Sequence, residues 1–411
     1  MKSVTIIGGG PGQASYLLPI ALETARQCDT LIADRRVKAT LEQAGLNNVR
    51  EMGTVMSAVE DIKDMDENSR LALFVSGDPA CYSMYRLIRR TCPDVSVEYI
   101  PGISSIQVMA SRAGVTLEDA AVFSGHGKAL PVGQLCGDVR EKEAVFVLCD
   151  KDRDPSWLAR KLVEGGLSHV TMWAGSRLTY PDEIVMQGPP ESFIGKDFPL
   201  LTVVCVKDEK KTGEEDALLL RDDRFERNET PMTRETVRWA AIGRLGLKPS
   251  SVLWDIGAGT GSVSLEAARI CKKGQVVSFE KDPRALDVLK ANKKKFAAVN
   301  MRVVPGDAAD GVKDPSLPRP THVFLGGTGR KLESIMGSVK EPGTHVMIAC
   351  VTMETTARAL AYFCPDNGFR DVDIVTIQTE QARSVGSYHV MEAGHRVTLL
   401  SAIVADRQKT C

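Results

Sequence analysis

Short apolar runs alternate with helix-length segments along the whole chain. This alternation predicts an α/β fold with largely parallel sheets, because each strand then returns through a helix. The predicted strands are residues 4–7, 30–33, 71–75, 145–148 and 201–206 in the first half, and residues 252–256, 275–279, 302–304, 321–325, 345–348 and 396–402 in the second.

One charged segment interrupts this alternation. Residues 207–230 read KDEKKTGEEDALLLRDDRFERNET and lack helical or strand periodicity except around residues 218–220. At 411 residues the chain is also longer than one hydrophobic core usually serves. We therefore predict a first domain at 1–206, a charged linker at 207–230 and a second domain at 231–411.

Composition narrows the function classes. Lys and Arg number 52 against 53 Asp and Glu, so the basic surplus typical of a nucleic-acid binder is missing. No signal-peptide pattern is present, and no apolar run approaches the roughly 20 residues of a membrane-spanning helix. The ten cysteines and six histidines show no metal-binding spacing, so we predict no metal site. Cys149 and Cys205 lie in apolar strands and are expected to be buried thiols in a reducing cytoplasm.

The second half carries the clearer binding motif. Strand 252–256 contains Asp255 and runs into a turn with Gly257, Gly259 and Gly261, followed by a helix. Glycines allow a tight turn and close approach of a ligand, and the helix start offers unpaired N–H groups. Glu280 ends the next strand about 20 residues further on, where a carboxylate can accept ribose hydroxyls.

A dinucleotide-binding dehydrogenase is the competing interpretation of this motif. A dinucleotide fingerprint requires G-x-G-x-x-G, whereas this turn reads DIGAGTG. The spacing resembles that of class I methyltransferases, which bind S-adenosylmethionine (SAM) and need no phosphate site. A glycine-rich turn without a ligand is the remaining alternative.

A closer resemblance spans residues 231–404. MTRETVR at 232–238, LWDIGAGTGSVSLEAAR at 253–269 and HVFLGGTGRKLESI at 322–335 resemble the decarboxylating methyltransferases of cobalamin biosynthesis that act on precorrin-6B. The resemblance implies substrate contacts at Gly326 and Gly327. It implies SAM contacts at Thr233, Asp255, Gly257, Ala258, Gly259, Thr260, Gly261, Glu280, Asp307 and Ala308. One departure is that Ala349 or Cys350 stands where the family often has Asn.

The first half also begins with a strand and glycines, VTIIGGGPG at 4–12. Asp34 closes the next strand, so a dinucleotide site with a ribose carboxylate is one interpretation. Pro11 argues against it, because proline removes an N–H from the loop that would hold phosphate. Gln13 and Ala14 also replace the final glycine of the fingerprint.

Four motifs in order resemble the tetrapyrrole methylase family over residues 1–206. They are GPG at 10–12, FVSGDPACY at 74–82, YIPGISS at 99–105 and SGHGK at 124–128. The resemblance implies a bilobal α/β fold with SAM between its lobes. It implies SAM contacts at Pro11, Ser76, Gly77, Asp78, Cys81, Ser104, Ser105 and Leu148, and substrate contacts at Gly10, His126 and Lys128. Simpler alternatives are a turn at Asp78, a helix N-cap at Ser104 and a loop histidine at His126.

Together the two resemblances imply a fused C5,15-methyltransferase (decarboxylating) with a Rossmann-like class I domain behind the tetrapyrrole methylase domain. Such an enzyme uses SAM at two sites, methylates carbons 5 and 15, decarboxylates the ring C acetate to give precorrin-8, and forms homo-oligomers. No catalytic residue can be assigned from the sequence. Glu235, His389 and His395 are open candidates for a proton donor, and Arg234, Arg238, Arg330 and Lys331 for a basic lining or for surface charges.

Two other function classes stay open at this point. An RNA or protein methyltransferase would need a basic face with clustered aromatic side chains, which this composition does not favour. A SAM-sensing scaffold would keep the folds without catalysis, and the intact motifs of both halves argue against loss of binding.

Overall fold

The fold is taken from a computed structural model, which describes residues 2–126, 130–210, 219–327 and 331–406. The chain divides into two compact units, one built mainly from residues before 211 and the other mainly from residues after it. Strands and helices alternate in both units, which confirms the predicted α/β class.

The first unit opens with a parallel sheet. Its strands are β1 (Ser3–Gly8), β2 (Thr30–Ala33), β3 (Val49–Glu51), β4 (Arg70–Val75) and β5 (Ser96–Ile100), and its helices are α1 (Pro19–Ala25), α2 (Arg35–Gln43), α3 (Val55–Lys63), α4 (Tyr85–Thr91) and α5 (Ser105–Ala113). The strand order is β3-β2-β4-β1-β5, with every pair parallel. The central strands β1 and β4 are apolar and buried, as expected where helices cover both faces of a sheet.

A second sheet follows in the same unit. Its strands are β6 (Ala120–Ser124), β7 (Ala144–Leu148), β8 (Thr171–Ser176), β9 (Ile184–Gly188) and β10 (Thr202–Lys207). The helices α6 (Val132–Glu141) and α7 (Pro155–Glu164) lie between these strands in the sequence. The order is β6-β7-β10-β8-β9, and only β6 and β7 pair in parallel. The prediction of largely parallel sheets is wrong here, because buried antiparallel strands produce the same continuous apolar runs.

The second unit contains a mixed sheet. Its strands are β11 (Val252–Ile256), β12 (Gln275–Glu280), β13 (Met301–Pro305), β14 (His322–Leu325), β15 (His345–Cys350), β16 (Phe369–Ile377) and β19 (Val397–Val404). The order is β13-β12-β11-β14-β15-β19-β16, in which the first five strands are parallel and β19 is antiparallel to both neighbours. Two further strands, β17 (Glu380–Val385) and β18 (Tyr388–Ala393), form a separate exposed hairpin.

The helices of this unit flank the sheet: α8 (Glu235–Leu245), α9 (Ser262–Ile270), α10 (Pro283–Lys295), α11 (Ala308–Gly311), α12 (Leu332–Met336) and α13 (Met353–Tyr362). The described end of the predicted linker also belongs to this unit. Leu220 and Phe225 are buried in a core cluster with Val237 of α8 and Leu265 of α9. In the parts of the chain that the structure describes, no helix is long and apolar enough to span a bilayer.

Candidate active sites

Three glycines meet at the carboxyl edge of the first sheet. Gly8 ends β1, Gly77 follows β4 and Gly102 follows β5. A Cβ atom on Gly8 would lie 2.5 Å from the Gly102 Cα atom, and one on Gly102 would lie 2.3 Å from the Gly77 carbonyl oxygen. Any side chain would therefore force these turns apart. The close approach of backbones explains Gly8, which the sequence also allowed as part of a dinucleotide site.

Two predicted cofactor residues fix the same turns. Asp78 accepts hydrogen bonds from the backbone N–H groups of Ala80 at 2.8 Å and Gly102 at 3.0 Å. Ser104 is the N-cap of α5 and forms a capping box with Gln107. The simpler alternatives for Asp78 and Ser104 are therefore true, and both residues also line the cavity described next.

A cavity of about 520 Å³ lies in the first unit. All eight SAM-binding residues that the resemblance implies for this half contribute to its lining: Pro11, Ser76, Gly77, Asp78, Cys81, Ser104, Ser105 and Leu148. His126 also lines it, whereas Gly10 does not, because its backbone pairs with that of Gly77. Lys128 lies outside the described residues. Burial raises the pKa of the Cys81 thiol above its usual value, so this cysteine stays protonated at neutral pH.

Two residues of the apparent dinucleotide fingerprint in this half have structural contacts. The Asp34 carboxylate accepts the N–H groups of Arg36 and Val37 as the N-cap of α2. Gly9 packs so closely on Val37 that a Cβ atom would lie 2.5 Å from its side chain. These two residues of the apparent fingerprint therefore seat α2 against the sheet.

The second unit has its own cavity of about 360 Å³ at the carboxyl edge of the mixed sheet. Ligands of open α/β sheets bind at this edge. The lining includes Gly257 and Gly259 after β11, Glu280 at the end of β12, and Gly326 and Gly327 after β14. Asp307 and Ala308 after β13 complete the predicted residues that contribute to the lining.

Glu280 is held in place by backbone donors. Its Oε1 atom accepts the N–H groups of Lys281 and Asp282, and its Oε2 atom accepts the Gly259 N–H at 2.8 Å. A carboxylate has about four acceptor positions, so one remains for a ribose hydroxyl. Accepting both hydroxyls, as the sequence suggested, would require release of the Gly259 bond.

Asp307 and Lys331 form an ion pair in the lining of this cavity. The Lys331 ammonium donates to the Asp307 carboxylate at 2.6 Å and holds the pKa of that carboxyl below its usual value. The two side chains are half-exposed. Lys331 is therefore a cation at the cavity, which agrees with the basic lining that the sequence allowed. Arg330 lies outside the described residues.

Five predicted SAM-binding residues of this unit are not part of the cavity lining: Thr233, Asp255, Ala258, Thr260 and Gly261. The Asp255 carboxylate is buried beneath the turn, where the hydroxyl of Ser264 donates to it and in turn bonds Ser278 at 2.7 Å. Burial, and secondarily the charge of Glu280, raises the pKa of Asp255 to about 7. In this structure Asp255 supports the turn from below.

Close packing explains the glycine at position 261. A Cβ atom there would lie 2.4 Å from the side chain of Leu289. The Thr260 hydroxyl is buried beside it and has no hydrogen-bond partner among the described residues.

The structure corrects the expectation that Arg238 is a basic lining residue or a surface charge. As a possible basic lining residue it should face the cavity, but its side chain is fully buried. It donates to Asp222, Glu266 and the carbonyl oxygens of Leu220 and Thr233. Arg238 is therefore a structural cation, whereas Arg234 at the N-cap of α8 is exposed.

The three candidate proton donors do not line the second cavity. Glu235 accepts the N–H of Asp222 at the start of α8, and His389 and His395 are exposed. Ala349 is half-buried and Cys350 buried in β15, and neither contributes to the lining.

Sequence reasoning missed several lining residues. Arg177 and Tyr180 line the first cavity, and Pro231, Lys281 and Gly306 line the second. Lys281 and Gly306 lie next to predicted residues, so proximity in sequence could have found them. Arg177 and Tyr180 follow a strand that the apolar pattern did not reveal.

Both halves belong to the SAM-dependent methyltransferases. A family model of tetrapyrrole (corrin/porphyrin) methylases matches residues 3–193. A family model of the precorrin methyltransferase domain matches residues 223–404.

Comparison with individual proteins shows which methyltransferases the chain resembles. A cobalt-precorrin-6B C(15)-methyltransferase (decarboxylating) of Salmonella typhimurium is 33% identical over 187 residues, which are 44% of this chain and 94% of the relative. A precorrin-6Y C(5,15)-methyltransferase (decarboxylating) of Sinorhizobium is 27% identical over 293 residues, 69% of each chain. The crystal structure of a precorrin-6Y C5,15-methyltransferase from Geobacter metallireducens is 30% identical, with 46% of this chain and all of that chain covered at a TM-score of 0.43.

The chain belongs to the precorrin methyltransferase family, with a tetrapyrrole methylase domain ahead of the precorrin methyltransferase domain. The family prediction made from the sequence motifs is thereby confirmed.

Proposed function

We propose that the chain methylates precorrin-6B, also called precorrin-6Y, at ring carbons 5 and 15 and removes carbon dioxide from the ring C acetate. The product is precorrin-8 in cobalamin biosynthesis. The N-terminal domain, residues 1–206, acts on carbon 5, and the C-terminal domain, residues 231–411, acts on carbon 15 and decarboxylates. The observation that carries the proposal is one cavity in each unit, both lined by the cofactor motifs. Relatives named for these reactions support it.

We also infer two SAM sites per chain. The second cavity fits SAM because Gly257 and Gly259 line it with φ values of 73° and 56°, so no side chain of these turns stands between the backbone and a ligand. Glu280 keeps one acceptor position for a ribose hydroxyl, and the Ala308 N–H lies at the start of α11 beside the cavity. In the first cavity the turns carrying Ser76 and Ser104 offer hydroxyl groups along the lining.

In this chemistry the main task of the protein is to align the ring carbon with the methyl group. SAM supplies an activated methyl group when bound, so no nucleophilic side chain is required. At each site a nucleophilic ring carbon forms the new C–C bond as the methyl–sulfur bond breaks, and the ring later loses a proton. In decarboxylation the acetate C–C bond breaks, carbon dioxide leaves, and the remaining carbon takes up a proton. Apolar lining such as Ile106, Leu178 and Val203 excludes water and holds the ring carbon against the methyl group.

The test is incubation of the full chain with precorrin-6B, with or without cobalt, and excess SAM, followed by mass spectrometry of the products. Two added methyl groups with loss of carbon dioxide are expected. No mass change on either form of the substrate would exclude the proposal. Calorimetry should also find two SAM molecules bound per chain, and fewer than two would count against it.

Paired glycine variants assign each reaction to its domain. Gly259→Asp adds a charge beside Glu280 and should abolish decarboxylation and carbon 15 methylation. Gly77→Asp should stop carbon 5 methylation. Gly343→Asp and Gly45→Asp are matched controls, because both glycines have positive φ and open space around them away from the cavities. Loss of both reactions in either cavity variant would contradict the assignment of one reaction to each domain.

We further propose that the enzyme forms homo-oligomers in a reducing cytoplasm. The β17–β18 hairpin supports the first point, because all its residues are exposed, including Tyr388, Val390 and Met391, and a lone two-stranded hairpin is marginally stable in water. The free thiols of the described cysteines support the second. Light scattering on the wild type and on Tyr388→Lys should show a larger mass for the wild type, and a monomeric wild type would refute the oligomer.

A further inference from the structure

The lining of the first cavity carries charges that the SAM motifs do not explain. Arg36 and Arg177 line it together with the acidic residues Asp34 and Asp78. Asp34 accepts two backbone N–H groups at the start of α2, and Asp78 accepts those of Ala80 and Gly102. Arg36 lies 3.9 Å from Asp34, whereas the partner of Arg177 is Asp182, which does not line the cavity. Arg177 is therefore the lining cation whose charge no lining carboxylate neutralises.

Arg177 stands on a strained backbone. Its φ is 50°, in the left-handed region that is unfavourable for an L-residue and readily adopted by glycine. Thr179, two residues on, has a φ of 71°. The turn is fixed by hydrogen bonds from Arg177 N–H to the Leu201 carbonyl at 2.8 Å and from Tyr180 N–H to the Arg177 carbonyl at 3.0 Å. Backbone strain of this kind is found mainly at functional sites. Because glycine would fit this conformation without strain, the side chain at position 177 points to a function.

The side chain of Arg177 is held by stacking. Its guanidinium carbon lies 5.0 Å from the centre of the Tyr180 ring. That ring packs on the Gly12 backbone so closely that a Cβ atom on Gly12 would lie 2.5 Å from it. Tyr180 therefore fixes the guanidinium beside the Gly8–Gly12 turn at the edge of the cavity.

The ion pair between Arg177 and Asp182 competes only weakly with a ligand for the guanidinium. Its carboxylate partner Asp182 is 60% exposed, and solvent-exposed ion pairs contribute little binding energy. The pair with Asp182 is made through the Nε atom of Arg177, and the two terminal nitrogens of a stacked guanidinium can still donate paired N–H bonds to a second carboxylate.

We propose that Arg177, stacked on Tyr180, binds one peripheral carboxylate of the macrocycle in the N-terminal cavity and so decides which ring carbon faces the methyl donor. The inference deepens the proposed function and rests on it. Arg177 is a specificity residue in this account and takes no part in bond making.

The decisive variant is Arg177→Gly in the full chain, because glycine removes the side chain and relieves the backbone strain together. We expect an unchanged or higher melting temperature, unchanged SAM binding, and a KM for the tetrapyrrole in carbon 5 methylation raised about 10- to 100-fold, the range for loss of charge-assisted hydrogen bonds. Carbon 15 methylation in the same reaction mixture should keep its rate. Asn68→Gly is the matched control, because Asn68 has a φ of 69° in an exposed turn outside the cavity.

Asp182→Asn separates ligand binding from a structural ion pair. If Arg177 serves the macrocycle, freeing it from Asp182 leaves the KM unchanged or lower. If the Arg177–Asp182 pair only holds the turn, this variant reproduces the defect of Arg177→Gly and overturns the proposal. An unchanged KM in Arg177→Gly overturns it as well.

A binding titration keeps this test distinct from that of the proposed function. Absorbance titration of precorrin-6B without SAM measures tetrapyrrole binding in the wild type and in Arg177→Gly. Weaker binding in the variant, with no turnover by the wild type, would support the carboxylate subsite and refute the proposed reaction. Turnover by the wild type with equal binding by both proteins would do the reverse.

Discussion

Replacing Arg238 with methionine removes a fully buried cation from the second unit. The guanidinium donates to Leu220 and Asp222 before α8, to Thr233 at its start, and to Glu266 in α9. It also lies 4.7 Å from the centre of the Phe225 ring. The variant thus removes three hydrogen bonds that tie residues 220–233 to α8, while methionine fills most of the apolar volume.

The expected loss in the free energy of unfolding comes from the buried groups that lose their bond to Arg238. Leu220 keeps a hydrogen bond from Trp239, but the Thr233 carbonyl loses its bond from the guanidinium and Glu266 is left 1% exposed without its closest cation. Removing one partner of a buried ion pair costs about 3–5 kcal/mol. For a unit of this size that lowers the melting temperature by roughly 6–20 °C.

The double variant Arg238→Met with Glu266→Gln tests the cause. Neutralising Glu266 removes the uncompensated charge, so we expect it to recover about 1–3 kcal/mol of the loss. Differential scanning calorimetry measures both variants. A loss below about 1 kcal/mol in the single variant, or no recovery in the double variant, would refute the assignment of the energy to the buried charge.

The same variant reports on the cofactor site. Thr230 and Pro231 line the second cavity, and Arg238 holds the segment that carries them. We expect weaker SAM binding at the C-terminal site and unchanged binding at the N-terminal site, measured by calorimetry as two classes of site. Equal affinity at both sites in the variant and the wild type would show that this segment does not need Arg238.

Three further variants test other features. Asp255 has a folded-state pKa of about 7 against an ordinary value of 3.8, so its contribution to stability is full below pH 4 and falls as the pH rises to 7; Asp255→Asn should flatten that slope in denaturant titrations, and an unchanged slope would contradict the shift. Gly257→Ala places a methyl group 2.9 Å from the Gly327 carbonyl oxygen and should abolish carbon 15 methylation while carbon 5 methylation continues; full carbon 15 activity would count against the cavity. Gly102→Ala places one 2.3 Å from the Gly77 carbonyl oxygen and should lower SAM affinity at the N-terminal site, with normal affinity as the contrary result.

The apolar pattern predicted strands where the sheets have buried faces. Every predicted run has a strand in the structure. Most of the missed strands, β3, β5, β9, β16, β17 and β18, place few side chains in a core, whereas β6 and β8 are half-buried and buried and were missed all the same. The direction of pairing in the second sheet was also out of reach, since a buried run looks alike in parallel and antiparallel sheets.

The candidate sites show a similar limit. Motifs placed the residues on turns after strands, and most of those turns do line a cavity. The roles of Asp255 and Arg238 were not predictable, because each depends on what covers it. Arg238 is buried by residues 220–225, a stretch whose charge density predicted a linker.

The crossing of Gly8, Gly77 and Gly102 has a consequence for motion in the first unit. With backbones in contact, the turns after β1, β4 and β5 have no slack in which one could shift alone. Those turns carry Pro11 and the Ser76 and Ser104 motifs, so the three walls of the cofactor cavity should open and close as one body. Amide exchange in them should accordingly share a single opening rate, and ligand entry would depend on loops elsewhere around the cavity.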